Sequence, residues 1–169
     1  MIAHEFDRNT DLPRTEKLGF QIARLAAHIH AATFRFLVLI REFDELGGWA
    51  DQGCVSCAHW LSWRCAISLH TGREKLRVAK SLVSLPLVSD AFEQGRISYS
   101  KARAITRIAN RDNEEFLLGI ALNGTAAQLD KLVRLERRRQ TIATIDDDPW
   151  KHHTHVRTTP RRRVCRTGR

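Results

Sequence analysis

The feature that most constrains the fold is a run of apolar residues spaced three and four apart. The run consists of Ile22, Leu25, Ile29, Ala32, Phe36, Leu39, Phe43 and Leu46. This spacing is the period of an α-helix with one apolar face, and it predicts a helix from about Thr15 to Leu46. Gly47 and Gly48 end the predicted helix, because glycine adopts a positive φ without steric penalty. We expect the stripe to be buried against other helices of the chain; the alternative is a coiled-coil seam that binds another helix.

The rest of the chain also predicts helices rather than strands. N-cap and capping-box signals are Ser56, Thr71 with Glu74, Ser98, Asp112 with Glu115, and Thr125 with Gln128. No stretch alternates with period two for long enough to predict a strand. We therefore expect an all-α fold of about seven helices, in which one long N-terminal helix precedes a compact bundle with helix-turn-helix-like units. The predicted divisions are a flexible N-terminus (1–14), a helical domain (15–145) and an irregular basic tail (146–169).

Positive charge is concentrated in two parts of the sequence. Residues 1–63 hold 6 Lys/Arg and 8 Asp/Glu, whereas residues 64–111 hold 10 Lys/Arg and 3 Asp/Glu. Residues 149–169 add 7 Lys/Arg and no acid to a chain whose formal net charge is +9. A clustered excess of positive charge favours a polyanionic partner, so DNA is the first partner that the sequence suggests.

The central basic region has the outline of a helix-turn-helix between Ala58 and Leu82, and residues 94–103 form a second basic unit. A helix fits the major groove, where Arg and Lys contact phosphates or guanine edges. The candidate DNA-binding residues are Arg73, Lys75, Arg77, Lys80, Ser98, Lys101, Arg103 and Arg107. Two features weaken the pattern: Ala66 replaces the usual turn glycine, and Gly72 stands where the second helix usually offers an apolar side chain. A solvated helix surface carries Lys and Arg too, so this alternative stays open.

The sequence gives little support for metal binding or catalysis. Cys54 and Cys57 have zinc-ligand spacing, but no second pair accompanies them, so we interpret them as buried thiols. The chain has no Ser-His-Asp context, no phosphate-binding glycine loop and no HEXXH motif. The sequence therefore predicts no catalytic residues, no metal, no cofactor and no small-molecule ligand.

The expected location is the cytoplasm. The longest apolar run, Phe36 to Ile40, is much shorter than the roughly 20 residues that span a bilayer. No charged, apolar and small-residue signal peptide opens the chain. We accordingly expect no membrane partner, and a homodimer through the long N-terminal helix is the alternative to DNA as a partner.

Several sequence blocks follow one another in a distinctive order. They are EFDELGGW (42–49), GCVSCAHWLSWR (53–64), RVAKSLVSLP (77–86), AFEQGRISYSKARAIT (91–106) and TAAQLDKLV (125–133). Together they resemble the bacterial helical domain of unknown function 222, which in many proteins precedes an HNH endonuclease domain. The resemblance covers about residues 20–140. It implies a non-catalytic helical module, with the nuclease residues in a domain that would follow position 169.

The basic end of the chain interrupts this pattern. After Asp148 the amphipathic periodicity gives way to an Arg-, Thr- and Pro-rich segment. We interpret the segment as the product of a truncation or frameshift before the HNH domain; the alternative is a genuine basic arm that binds nucleic acid without sequence preference. Three hypotheses for function follow: a DNA-binding or nuclease-targeting module, a helical protein–protein interaction or dimerisation module, and an inactive truncated fragment.

Overall fold

The computed structural model describes residues 13–146, with side chains to residue 139. The helices are α1 (Arg14–Glu45), α2 (Cys57–Cys65), α3 (Leu69–Leu82), α4 (Pro86–Glu93), α5 (Tyr99–Ile105), α6 (Glu114–Asn123) and α7 (Ala126–Asp146). Within residues 13–146 there is no β-strand, so the all-α prediction with one long N-terminal helix is confirmed. Apart from their innermost residues, the predicted flexible segment 1–14 and basic tail 146–169 lie outside the described part of the chain.

Three predicted caps are present in the structure. The hydroxyl of Ser56 accepts a hydrogen bond from the amide of His59, and that of Ser98 accepts one from the amide of Lys101. Thr125 and Gln128 form the reciprocal box at the start of α7: the Gln128 side chain accepts from the Thr125 amide at 2.8 Å. These caps are contacts between residues three apart, so the local sequence specifies them.

Two other predicted capping boxes are wrong. The start of α3 is capped by Ser68, whose hydroxyl accepts from the Thr71 amide at 3.2 Å, so Thr71 lies inside the helix. The start of α6 has no side-chain cap; Asn113 bonds to Asn110 in the preceding turn instead. In both places an earlier polar residue, Ser68 or Asn110, bonds to the backbone amides at the start of the helix instead of the predicted box.

One hydrophobic core contains buried residues from all seven helices, and α1 packs into it against α3 and α4. Its centre is Phe92 of α4, which is fully buried and meets the ring of Phe34 edge-on at 5.7 Å between centroids. Leu37 and Ile40 of α1 are buried in the same cluster. The second half of α1 is thereby fixed to the domain.

A close backbone approach joins the end of α4 to α1. Gly95 follows α4 with a φ of +74°, and a Cβ built on it would collide with the carbonyl oxygen of Ala27. Only glycine meets both requirements, the left-handed backbone and the absent side chain. From the sequence, Gly95 is predicted to end a helix. The sequence does not indicate that α1 packs against this glycine.

A buried carboxylate replaces the missing cap of α4. Leu85 precedes the helix and offers no side-chain acceptor, whereas Glu114 of α6 is 2% exposed and accepts a hydrogen bond from the amide of Val88 at 2.8 Å. The negative carboxylate lies at the positive end of the α4 dipole, where it is stabilised. This contact spans 26 residues, so no local signal predicts it.

The expectation that the apolar stripe of α1 is buried is wrong. Five of its large residues are between 55% and 78% exposed: Ile22, Leu25, Ile29, Leu39 and Leu46. The buried face of α1 belongs to the adjacent row, which includes Phe34, Leu37 and Ile40. Since both rows have helical spacing, periodicity alone predicts two apolar faces and cannot decide which one the core covers.

Candidate functional site

The predicted helix-turn-helix unit is formed by α2 and α3. Ala66 takes the turn position with a φ of 53°, a left-handed conformation that glycine usually supplies. Gly72 is buried, and a Cβ on it would lie 3.3 Å from the carbonyl oxygen of Ala58. The backbones of the two helices are therefore in close contact, and Gly72 permits this approach where a larger residue would separate the helices.

Two candidate DNA-binding arginines form an ionic cluster with Glu74. Arg77 donates to both carboxylate oxygens of Glu74 at 3.1 Å, and Arg107 donates to one of them at 2.8 Å. Arg77 also donates to the backbone carbonyl of Thr106 at 3.1 Å. Hydrogen bonds from Arg77 and Arg107 lower the pKa of Glu74 to about 2. The cluster connects α3 to the end of α5, so these guanidinium groups have a structural role.

Three more candidate DNA-binding residues form hydrogen bonds or ion pairs within the domain. The ammonium group of Lys80 forms an ion pair with Asp44 of α1 at 2.8 Å, and this hydrogen bond raises the pKa of Lys80. Lys101 donates to the carbonyl oxygen of Ala121, in the last turn of α6, at 2.6 Å. Ser98 is occupied as the N-cap of α5. Lys80 and Lys101 each hold two helices together, whereas Ser98 acts within its own helix.

Lys75 lies between two aromatic rings. Its ammonium group is 4.4 Å from the centroid of Tyr99 and 5.8 Å from that of Phe36, within the range of cation–π attraction. Burial lowers the pKa of Lys75 and raises that of Tyr99. This side chain therefore joins α3 to α1 and α5 rather than extending into solvent.

Two candidates remain available to a partner. Arg73 is exposed on α3, and Arg103 is partly buried on α5. Neither guanidinium group makes a hydrogen bond or ion pair with residues 13–139. The structure thus places all eight predicted residues on or beside α3 and α5, but six of them have partners within the domain.

An apolar groove adjoins the exposed stripe of α1. Its volume is about 420 Å³, and α1 and α2 form its walls. The lining residues are Phe36, Leu39, Ile40, Glu42, Phe43, Leu46, Cys57, Trp60, Leu61 and Cys65. Phe43 and Trp60 pack with ring centroids 4.5 Å apart, and the Trp60 indole donates to Gln52 at 2.7 Å. These contacts fix the position of Trp60 in the groove. The sequence did not indicate the groove, because its apolar stripe was expected to be buried.

The thiols do not form a metal site in the described part of the chain. Cys54 and Cys57 are buried free thiols, and no group of three or more His, Cys, Asp or Glu side chains comes together within residues 13–139. Burial raises the pKa of Cys57 to about 11. Its thiol is therefore protonated at neutral pH and contributes an uncharged surface to the groove.

By length and composition, α1 is also apolar enough to cross a membrane, which the short run Phe36 to Ile40 did not indicate. Its apolar stretch nevertheless contains Arg24 and Arg35, together with His28 and His30. Arginine at the centre of a bilayer costs roughly 3 kcal/mol or more. The second half of α1 moreover packs on α3 and α4, so its exposed face is one side of a helix fixed to a domain.

A family model described as a domain of unknown function (DUF222) matches residues 14–168. The chain belongs to the DUF222 family. The match covers the whole described domain and extends through the basic segment, for which we had expected a truncation or frameshift. No curated protein and no solved structure matches the chain. The DUF222 match assigns no activity to the chain.

Proposed function

We propose that the chain is a non-catalytic helical interaction module whose partner is an apolar amphipathic helix. The exposed stripe of α1 is the observation that carries this proposal. Leu39 and Leu46 are 63% and 78% exposed on a helix that the core already anchors. Burying one such side chain is worth about 1.5–3 kcal/mol, and contiguous exposed apolar surfaces of this kind mark interaction sites.

The groove supports a helix as the partner. Leu39 and Leu46 stand on one wall and Trp60 on the other, with the stripe continuing beyond the groove toward Ile22. A narrow apolar channel along a helix accepts side chains at positions i, i+3, i+4 and i+7 of a second helix. A compact small molecule would fill the groove but leave the exposed residues 18–25 and Ile29 uncovered.

A binding experiment with one synthetic probe tests this proposal. The probe is a labelled peptide of residues 14–46, which carries a complete apolar stripe, and fluorescence anisotropy measures its binding to the full chain. We expect saturable binding that Leu39→Asp weakens at least tenfold, because the charge would be buried on binding. The matched control is Phe116→Asp, since Phe116 is 69% exposed on α6, away from the stripe. Absence of binding at a chain concentration where the protein is monomeric, or equal loss in both variants, contradicts the proposal.

A second candidate function is DNA contact by the central basic region, by which the module would target an attached HNH nuclease. Its support is the charge excess of residues 64–111 and the exposure of Arg64 and Arg73. The test uses random-sequence duplex DNA over a salt series with Arg64→Gln/Arg73→Gln. Each lost phosphate contact lowers the log–log salt slope by about 0.9. Arg77 and Lys101 are left intact because their replacement would disturb the fold.

The inactive-fragment hypothesis gives a different result in the same experiments. An inactive fragment would bind neither the 14–46 peptide nor DNA at low salt. Binding of the peptide alone favours the interaction module, and binding of DNA alone favours the targeting module. The two assays therefore separate the three hypotheses.

A further inference from the structure

We infer that the partner of this surface is a second copy of the same chain, with the two α1 helices paired antiparallel about a two-fold axis near residue 34. This inference rests on the proposed interaction function and names its partner. A two-fold dimer uses the same patch on both copies, so the patch has to be complementary to itself. The exposed stripe of α1 has this property.

The spacing of the stripe is that of a coiled coil. From Ile22 to Leu46 the apolar positions alternate three and four apart without interruption, so that each pair of successive steps spans seven residues. That spacing is the heptad period of a coiled-coil seam. Leu18 continues the same row and is 46% exposed. The seam thus extends over more than three heptads, the length at which a heptad pattern indicates a coiled coil.

The two halves of α1 offer different surfaces. Residues 18–25 are all exposed, so this half is an apolar helix without a cover. The other half, from Phe36 to Leu46, lines the groove with α2 beside it. One half can therefore enter the groove, and the other half forms it. Antiparallel pairing places the first half of each copy in the groove of the other.

Parallel pairing does not achieve this arrangement. It would align the two groove-forming halves with each other, and each of them has α2 packed along its side. The two α2 helices, with Trp60 and the exposed Trp63, would then compete for the same space. The uncovered halves would meet only each other, and the grooves would not be filled by a helix.

The antiparallel register gives four kinds of layer, each of which occurs twice. They are Ile22 with Leu46, Leu25 with Phe43, Ile29 with Leu39, and Ala32 with Phe36. The smallest residue of the seam thus faces a phenylalanine next to the axis, which suits close packing. At the flank of the seam His28 faces Glu42 of the second copy. By the same pairing Arg35 faces Arg35 of the second copy beside the axis, and both long side chains have to extend into solvent there.

Sedimentation equilibrium of the full chain at physiological salt tests the stoichiometry. We expect a mass of two chains of 19.4 kDa at micromolar concentration. Leu39→Asp should raise the dissociation constant at least tenfold, and Phe116→Asp should leave it unchanged. A monomer at every concentration overturns the inference; if the 14–46 peptide still binds, the proposed interaction function survives with a different partner. A monomer that instead floats with phosphatidylcholine vesicles shows that α1 binds a membrane.

Disulfide cross-linking tests the orientation. The background is Cys65→Ser/Cys165→Ser, which leaves the buried Cys54 and Cys57 in place. Under mild oxidation the double variant Ile29→Cys/Leu39→Cys should form a covalent dimer, and neither single variant should. Within one chain these positions are about 15 Å apart along the helix, too far for an internal disulfide. A covalent dimer from Ile29→Cys alone would show parallel pairing and overturn the antiparallel arrangement.

Discussion

The carboxylate of Glu74 accepts a hydrogen bond of 2.8 Å from the guanidinium group of Arg107, although 33 positions separate the two residues. Arg77 shares the same carboxylate and extends to the carbonyl of Thr106. Two arginines of the region with the greatest excess of positive charge therefore share one acid. Arginines that the sequence offers as DNA contacts hold α3 against α5.

Glu74 should make the domain more stable above pH 4 than below it. Its pKa is about 2 in the folded chain, against about 4.3 in an unfolded one. A lowered folded-state pKa contributes stability that is present above the unfolded pKa and is lost as the pH falls toward 2. We expect Glu74→Gln to unfold at lower urea concentration at pH 6 and to approach the parent near pH 2.5. A constant difference across this range would contradict the role of the charge.

Two leucines of α1 should differ in how much they contribute to stability, because only one of them is buried. Leu37 is 1% exposed and Leu39 is 63% exposed. Leu37→Ala should lower the free energy of unfolding by about 2–4 kcal/mol through cavity formation, whereas Leu39→Ala should cost less than about 1 kcal/mol. Urea denaturation at a concentration where the chain is monomeric measures both. Equal losses would mean that the predicted stripe is buried after all.

Because Gly95 contacts α1, replacing it with alanine should lower stability more than the same change at Gly47. Gly47 and Gly95 have φ values of +70° and +74°, but a Cβ on Gly47 meets nothing within 4 Å. Gly47→Ala should therefore cost about 1 kcal/mol from backbone strain alone. Gly95→Ala adds the collision with Ala27 and should cost about 3 kcal/mol or more. Thermal melts of the two variants measure the difference, which is the cost of the close approach to Ala27. Similar losses of stability in both variants would show that this approach does not matter.

Ala66 offers a stabilising substitution. Its φ of 53° strains an alanine, so Ala66→Gly should raise stability by about 0.5–1 kcal/mol, even though glycine gains entropy in the unfolded chain. The control is Ala127→Gly, since Ala127 is exposed within α7 and glycine there should cost up to about 1 kcal/mol. A lower melting temperature for Ala66→Gly would show that the turn does not need the left-handed conformation.

The sequence by itself determined where the helices lie and how several of them begin. Ser56, Ser98 and Thr125 cap helices because a side-chain oxygen reaches an amide three residues later, whatever the rest of the chain does. The all-α class follows from the same local signals. Where two polar residues competed for one turn, as Ser68 did with Thr71, the sequence allowed both, and the first one capped the helix.

Only the tertiary structure decided which surfaces are available to a partner. The face of α1 that enters the core depends on how α3 and α4 pack against two rows of equal periodicity, so the sequence could not choose between Leu37 and Leu39. The partners of the basic side chains were equally hidden, because Lys101 meets Ala121, and Arg107 meets Glu74, across 20 and 33 residues of sequence. Helix periodicity and capping are local interactions, whereas burial and ion pairing depend on residues that only the folded chain brings together.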